Sequence, residues 1–248
     1  MVITSPDNAK IAEIVKLSQK KYRRQTHRYV IEGARLVADA IKHGAKIASV
    51  FVSESVADSF DYANQVVVSD RVFNKIADTV NSQGVLAVVE MDNDSLSAPC
   101  GNCLVLDGLQ DPGNVGTLIR TAASCGFTDV YAVNSVDLYS PKVLRSAMSA
   151  HFCVKLHELD DIKEAFELLD GVEIVCADMG GSNVFEVEFA DRTALVVGNE
   201  GNGLSKFSKS HATKTVALPM ANGFESLNVA VAGSVIMYQI YSKGNIRR

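Results

Sequence analysis

Three short stretches concentrate the residues that could do chemistry. In "LDGLQDPGNVGTLIRTAASCGF" (Leu106–Phe127) a strand ends at Asp107 and Pro112-Gly113 makes a turn. Asn114 then stands where it can cap a helix running through Arg120 and Ala123. Exposed backbone N–H groups at such a helix start favour an anion. No Lys-Ser/Thr follows the glycines, so this is not a phosphate-binding P-loop. In "ALVVGNEGNGLS" (Ala194–Ser205) an apolar strand stops at Gly198, and Gly198, Gly201 and Gly203 let a backbone approach a ligand closely. Glu200, inside that turn, would be awkward for pyrophosphate and suits a cationic ligand or a hydroxyl better. In "PMANGFESLNVAVAG" (Pro219–Gly233) Glu225, Ser226 and Asn228 crowd the first turn of an expected helix, where one such residue would suffice as a cap. Pro219 and Gly223 hold the chain before them, and the small residues Val229–Gly233 allow close packing behind. Each stretch also has a plain reading: an Asn cap beside a surface arginine, a tight turn with a solvated acid, a capped and buried helix.

The elements around these loops repeat a simple pattern. Short apolar runs near 103–106, 129–134, 152–156, 172–177, 193–198 and 214–218 alternate with helical segments near 114–126, 141–150, 160–170 and 203–209, and a last helix is expected over 225–241. Alternating strands and helices imply a largely parallel sheet covered on both faces. Ligands bind such sheets at the C-terminal ends of the strands, which is where the three loops fall. A smaller α/β unit precedes them. Ser5-Pro6 reads as a helix start before Ile11, Ile14 and Val15, and a second helical pattern covers about Glu32–His43. "IASVFVS" (Ile47–Ser53), "QVVVS" (Gln65–Ser69) and "GVLAVVEM" (Gly84–Met91) read as strands. The polar stretch Asp92–Asn102 has the composition of a boundary, giving domains at 1–92 and 103–248.

Apolar residues make up 47% of the 248 and charged residues 21%, which points to a folded chain rather than a disordered one. No apolar run reaches transmembrane length, and MVITSPDNAK lacks the plan of a signal peptide, so a cytoplasmic protein with no membrane partner is expected. Five scattered cysteines argue against a disulfide framework. Cys100-x-x-Cys103 stands without the second pair or histidines that zinc would want, so no metal is expected. The net charge of −5 alone does not suggest a nucleic-acid partner. However, Lys10, Lys16, Lys20, Lys21, Arg23, Arg24 and Arg28 face only Glu13 within one segment. That is either a local phosphate-binding face or a solvated helix face followed by a basic loop.

Taken in order, "NVGTLIRTA" with "CGF", "GNEGxGLS" and "PMxxxxESLNV" resemble the motifs of the SpoU-type branch of the SPOUT superfamily of RNA methyltransferases. The resemblance spans Leu104–Tyr241, and "KLSQKKYRRQTHRYVIEGARLVADAI" with "SQGVLAVV" resembles the family's small substrate-binding domain. It implies a C-terminal parallel-sheet domain with a deep trefoil knot, a homodimer, and 2′-O-methylation of a ribose in structured RNA by S-adenosylmethionine. It further implies Asn114, Arg120, Glu200, Ser226 and Asn228 as polar site residues, with Arg120 either activating the hydroxyl or holding the target phosphate. Gly198, Leu218, Met220 and Leu227 would line the cofactor pocket. Lys20, Lys21, Arg23, Arg24 and Arg145 are the candidate RNA contacts. Ala147 and Ser149 depart from the family's usual serine and glycine at those positions. The basic N-terminal segment favours ribosomal over transfer RNA. The alternatives are a tRNA ribose methyltransferase, or an RNA-binding or ribosome-assembly protein without catalysis. A Rossmann enzyme would need G-x-G-x-x-G after the first strand, and "LDGLQDPGNVG" does not supply that spacing.

Overall fold

The computed structural model describes residues 2–92, 96–222 and 226–246, with backbone alone at 245 and 246. The chain divides into two units: residues 1–94 with 139–144, and residues 95–138 with 145–248.

The first unit opens with α1 (Ala9–Lys16), α2 (Lys20–Thr26), β1 (Arg28–Glu32) and α3 (Ala34–Lys42). It continues with β2 (Ile47–Ser53), β3 (Val66–Val68), α4 (Asp70–Ile76) and β4 (Val85–Glu90). The sheet order is β1-β4-β2-β3, antiparallel except for β2–β3. Ile11, Ile14 and Leu17 pack with Phe51, Val68, Phe73, Leu86 and Val88 in its core. Ser5-Pro6 does not start α1. Asn8 caps it, its side chain accepting from Lys10 N at 3.0 Å, while Ser5 Oγ accepts from Asp7 N in the turn before. The basic stretch after α1 is no loop but a helix and a strand, α2 and β1. His27, at φ 51°, ends the helix and feeds the chain into the strand.

The second unit holds β5 (Cys103–Asp107), α5 (Pro112–Ser124), β6 (Asp129–Val133), β7 (Lys155–Leu159) and α7 (Ile162–Glu167), with α6 (Pro141–Ala147) lying across the division. After these come β8 (Glu173–Asn183), β9 (Thr193–Gly198), α8 (Lys206–His211), β10 (Lys214–Ala217) and α9 (Val229–Ile246). All six strands are parallel, in the order β10-β8-β9-β5-β6-β7. Residues of β5, β6 and β9 are buried without alternation, as expected for a sheet covered on both faces. The strand expected near 152–156 starts later. Met148–Phe152 form a 3-10 turn in which buried His151 bonds Leu138 O at 2.8 Å, and β7 joins β6 only from Lys155. The strand expected at 172–177 is longer and broken. Thr215 pairs with Cys176 but Val216 pairs with Ser182, so residues 177–181 are looped out of the β8–β10 ladder. Gly181 permits this, because a Cβ there would lie 2.5 Å from the Val216 main chain.

Candidate active site

The loops after β5, β9 and β10 meet through side-chain amides and one carboxylate. Asn114 is not the cap of α5: Asp111 is, its Oδ1 accepting from Asn114 N at 2.8 Å. Asn114 therefore sits inside the first turn, with its side chain available for tertiary contacts. Its Nδ2 donates to Glu200 Oε1 at 3.1 Å, and its Oδ1 accepts from Asn228 Nδ2 at 3.0 Å. Glu200 also accepts from the backbone N–H of Gln110 and Asp111 at 3.2 and 3.1 Å. Asn228 serves two partners, because its Oδ1 takes the N–H groups of Ala230 and Val231 and so caps α9. The helix starts at Val229, later than the expected 225. Gly223 and Glu225 lie outside the described residues.

Burial alone would raise the Glu200 carboxyl, but the hydrogen bonds from its own backbone, Asn114, Asp111 and Gln110 outweigh it and hold the group below its ordinary range. A depressed carboxylate stabilises the fold above its unfolded pKa, and that contribution is lost as pH falls through the folded value. The stability difference between wild type and Glu200→Gln should therefore shrink on acidification below the ordinary carboxylate range, read from melting temperature against pH. A constant difference would show that the charge is not what holds the loops.

A cavity of about 1040 Å³ opens beside this junction. Gly198, Leu218, Met220 and Leu227 line it, as do Glu200, Ser226 and Asn228. Asn114 reaches it only through Glu200 and Asn228, and Arg120 is not in its wall. Arg120 lies on the exposed side of α5, with no side-chain hydrogen bond or ion pair among the described residues. Behind the cavity, α9 packs on α5 and β9. A Cβ at Gly233 would come within 2.6 Å of Leu118 Cδ2, and Thr121 Oγ1 and Ser234 Oγ lie 2.9 Å apart. This gives the small residues of α9 their partner within the second unit.

Several lining residues escaped sequence reasoning. Asp178 and Asn183 come from the looped-out part of β8 and its end, and Lys209 from α8 pairs with Asp178 at 2.6 Å. Only the Gly180-Gly181 pair signalled an interruption there. Asn199 organises the β9 loop. Its Oδ1 accepts from Gly201 N and Asn202 N at 3.0 and 2.9 Å, and its Nδ2 donates to Gly108 O at 2.8 Å.

In the first unit, the candidate RNA contacts separate. Lys21 and Arg24 are exposed on α2 and Lys20 is half-buried. Arg23 is buried, and its Nη1 donates to the carbonyls of Leu17 and Ser18 at 2.6 and 2.7 Å, closing the C-terminal end of α1. That corrects its assignment to the basic face: its guanidinium is spent inside the fold. Arg28 is likewise engaged, by Glu13 and Glu90. Arg145 is exposed on α6. Among the described residues no group of three His, Cys, Asp or Glu side chains could hold a metal ion, and no helix is long and apolar enough to cross a membrane.

Residues 101–238 match the family model for the SpoU rRNA methylase family, and residues 8–87 match the MRM3-like substrate binding domain. The chain belongs to the SpoU rRNA methylase family. This SpoU-family methylase is 33% identical over 255 residues to an uncharacterised tRNA/rRNA methyltransferase of Synechocystis sp., with 96% of this chain and 92% of that one covered. It is 31% identical over 244 residues to the 23S rRNA (guanosine(2553)-2′-O)-methyltransferase RlmP of Bacillus subtilis, covering 96% and 98%. Among solved structures, the AdoMet-bound rRNA methyltransferase of Sinorhizobium meliloti superposes with a TM-score of 0.85 at 25% identity, covering 98% and 97%. The SpoU-family methylase thus carries its sheet and its substrate-binding unit in one chain, and the three-loop junction falls inside the matched methylase region.

Proposed function

We propose that this protein transfers a methyl group from S-adenosylmethionine to a ribose 2′-hydroxyl of ribosomal RNA. The observation that carries the reading is the Glu200–Asn114–Asn228 chain, which ties three loops around one cavity at the C-terminal ends of parallel strands. The cavity suits the donor. Its size is at the upper end of small-molecule clefts, about 300–1,000 Å³. Main chain at Gly198 and Gly203 forms one wall, and Met220 and Leu227 stay exposed at 39% and 44% as apolar contact surface. Glu200 adds a carboxylate to the lining, suited to a ligand that carries positive charge, while the Asp178 charge is balanced by Lys209. When bound, the donor supplies an electrophilic methyl on sulfur. The chain's part is then to place the hydroxyl in line and to help its proton leave. Arg120 anchors the phosphate beside the target ribose and donates hydrogen bonds as charge develops. Gly198, Leu218, Met220 and Leu227 hold the donor. Ser226 and Asn228, on the cavity wall, face the reacting groups.

Ribosomal rather than transfer RNA is favoured by the family model and by the 23S rRNA substrate of the Bacillus subtilis relative. Methyl-labelled donor incubated with the protein and rRNA or tRNA tests the reading. Label on the ribose of rRNA is expected, and label on a base would sink it. In the substrate-binding unit, Lys21, Arg24 and Lys20 contact phosphate, as does Arg145 from α6. Replacing Lys21 and Arg24 together by alanine should reduce the salt slope of RNA binding by about two, because roughly one counterion is released per contact. An unaltered slope would leave α2 a solvated face.

Two features of the assembly belong to the same proposal. The final segment threads the loop after β9 to make a trefoil knot: β10 is an edge strand, yet α9 packs on interior β9 and on α5. An experimental chain trace with α9 outside loop 199–205 would remove the knot. The protein is a homodimer joined along α9, where Val231, Val235, Tyr238 and Tyr241 form an exposed stripe at helical spacing. A monomer mass in sedimentation would remove that. The proposed compartment is the cytoplasm, and recovery solely in a membrane fraction would argue otherwise.

A further inference from the structure

Asp107, the last residue of β5, is buried at 9% exposure and does not line the cavity. Burying a carboxylate is unfavourable unless donors compensate it. Here Oδ2 accepts from Ser205 N at 2.8 Å and from Ser208 Oγ at 2.7 Å. Ser205 and Ser208 are themselves joined: Ser205 Oγ caps α8 by accepting from Ser208 N at 3.2 Å, and the two hydroxyls lie 3.0 Å apart. The carboxylate therefore fixes the point where the β9 loop ends. The loop's start is fixed from the same strand end, because Asn199 Nδ2 donates to the carbonyl of Gly108, the next residue. Between these anchors, Asn199 and Gly203 exchange two backbone hydrogen bonds at 3.0 and 2.9 Å. A Cβ on Gly198 would be 2.3 Å from Leu204 N, so no slack exists between the loop's two ends.

We propose that Asp107 is a positioning residue for the donor pocket: its buried carboxylate, through Ser205 and Ser208, sets the position of the Gly198–Ser205 wall against which the methyl donor binds. This rests on the methyl-transfer reading above. It adds a charged group outside the cavity whose effect on the reaction runs through donor binding rather than through RNA or the transfer step. Asn keeps the shape at this position but carries no charge, so with its oxygen in the Oδ2 place it accepts from both donors only as a neutral group. Charge-assisted hydrogen bonds are roughly twice as strong as neutral ones.

Asp107→Asn and Ser208→Ala, singly and together, provide the test in the full-length protein. For Asp107→Asn, KM for S-adenosylmethionine should rise about tenfold or more, with kcat at saturating donor and KM for RNA each within about threefold. Ser208→Ala should give a smaller rise in the same constant. The double variant should be less impaired than the product of the two, since the single variants share the Asp107–Ser208 hydrogen bond. Amide hydrogen exchange without any ligand should show faster exchange at residues 203–205 in Asp107→Asn, with the core strands unchanged. Donor KM within twofold of wild type together with unchanged exchange at 203–205 would overturn the proposal, as would an equal loss in RNA KM and kcat with donor KM untouched. Wild-type protein that binds no S-adenosylmethionine would fail the functional reading instead, and the exchange measurement would still decide whether Asp107 holds the loop.

Discussion

Arg120→Ala should lower methyl transfer about a thousandfold while leaving S-adenosylmethionine affinity within about threefold of wild type. The separation follows from where the residue sits. Its side chain is outside the cavity wall, on the exposed side of α5, and engages no partner among the described residues. Removing it breaks no side-chain hydrogen bond or ion pair among the described residues, so the donor pocket should be preserved. What is lost, on the proposed mechanism, is the cation that holds phosphate beside the target ribose. Arg120→Lys keeps the charge without the planar fork and should recover only part of the rate. Calorimetry with the donor and single-turnover transfer with RNA read the two quantities independently. Unchanged turnover in Arg120→Ala would take the residue out of the mechanism.

Gly198→Ala acts on the opposite half of the problem. The added methyl would sit 2.3 Å from Leu204 N, 2.4 Å from Gly203 C and 2.6 Å from Gly203 O. All three are main-chain atoms, so no rotamer change relieves the clash and the loop itself must move. Overpacking of this kind costs about 1–3 kcal/mol, and about 1.4 kcal/mol is tenfold in affinity. Donor affinity should fall by about tenfold to a hundredfold, accompanied by a lower melting temperature. Gly201→Ala is the matched control in the same loop. Although Gly201 also lines the cavity, its Cβ would meet only Asn199 Oδ1, at 3.6 Å, with no positive φ to strain, and donor affinity should fall less than in Gly198→Ala. Equal affinities for the two variants would show that the close approach at Gly198 does not shape the pocket.

The contrast between these residues explains what the sequence could convey. Strands β5, β6 and β9 are legible as apolar runs because both faces of the sheet are covered there, and the three loops because Gly and Pro mark where strands turn into helices. Asp107 is not legible. Nothing local distinguishes it from any polar residue ending a strand, and its two partners lie 98 and 101 residues further along the chain. Arg23 misled for the same reason: a cation in a basic run looks like its neighbours until the carbonyls of Leu17 and Ser18 close around it. The looped-out part of β8 is a tertiary choice as well, made by Val216 pairing with Ser182 rather than by any turn signature beyond Gly180-Gly181. Asn114 looks like a cap because it follows the Pro112-Gly113 turn, whereas Asp111 holds that position and releases the Asn114 side chain.

The hydrogen-bonded chain at the loop junction also has a direction. An ionised carboxylate can only accept, so Glu200 obliges Asn114 to present its NH₂ and to turn its oxygen the other way. That oxygen in turn obliges Asn228 to present its own NH₂, which leaves the Asn228 oxygen facing the N–H groups at the start of α9. Two amides that could each be flipped are thus left with one arrangement between them, selected from one end by the Glu200 charge and from the other by the N–H groups at the start of α9. The orientation of the carboxylate in one loop is transmitted through a second loop to the first turn of a helix after the third. A neutral side chain of the same shape at position 200 would keep every atom within reach but could donate as well as accept, and the junction would lose its sense of direction before it lost its packing.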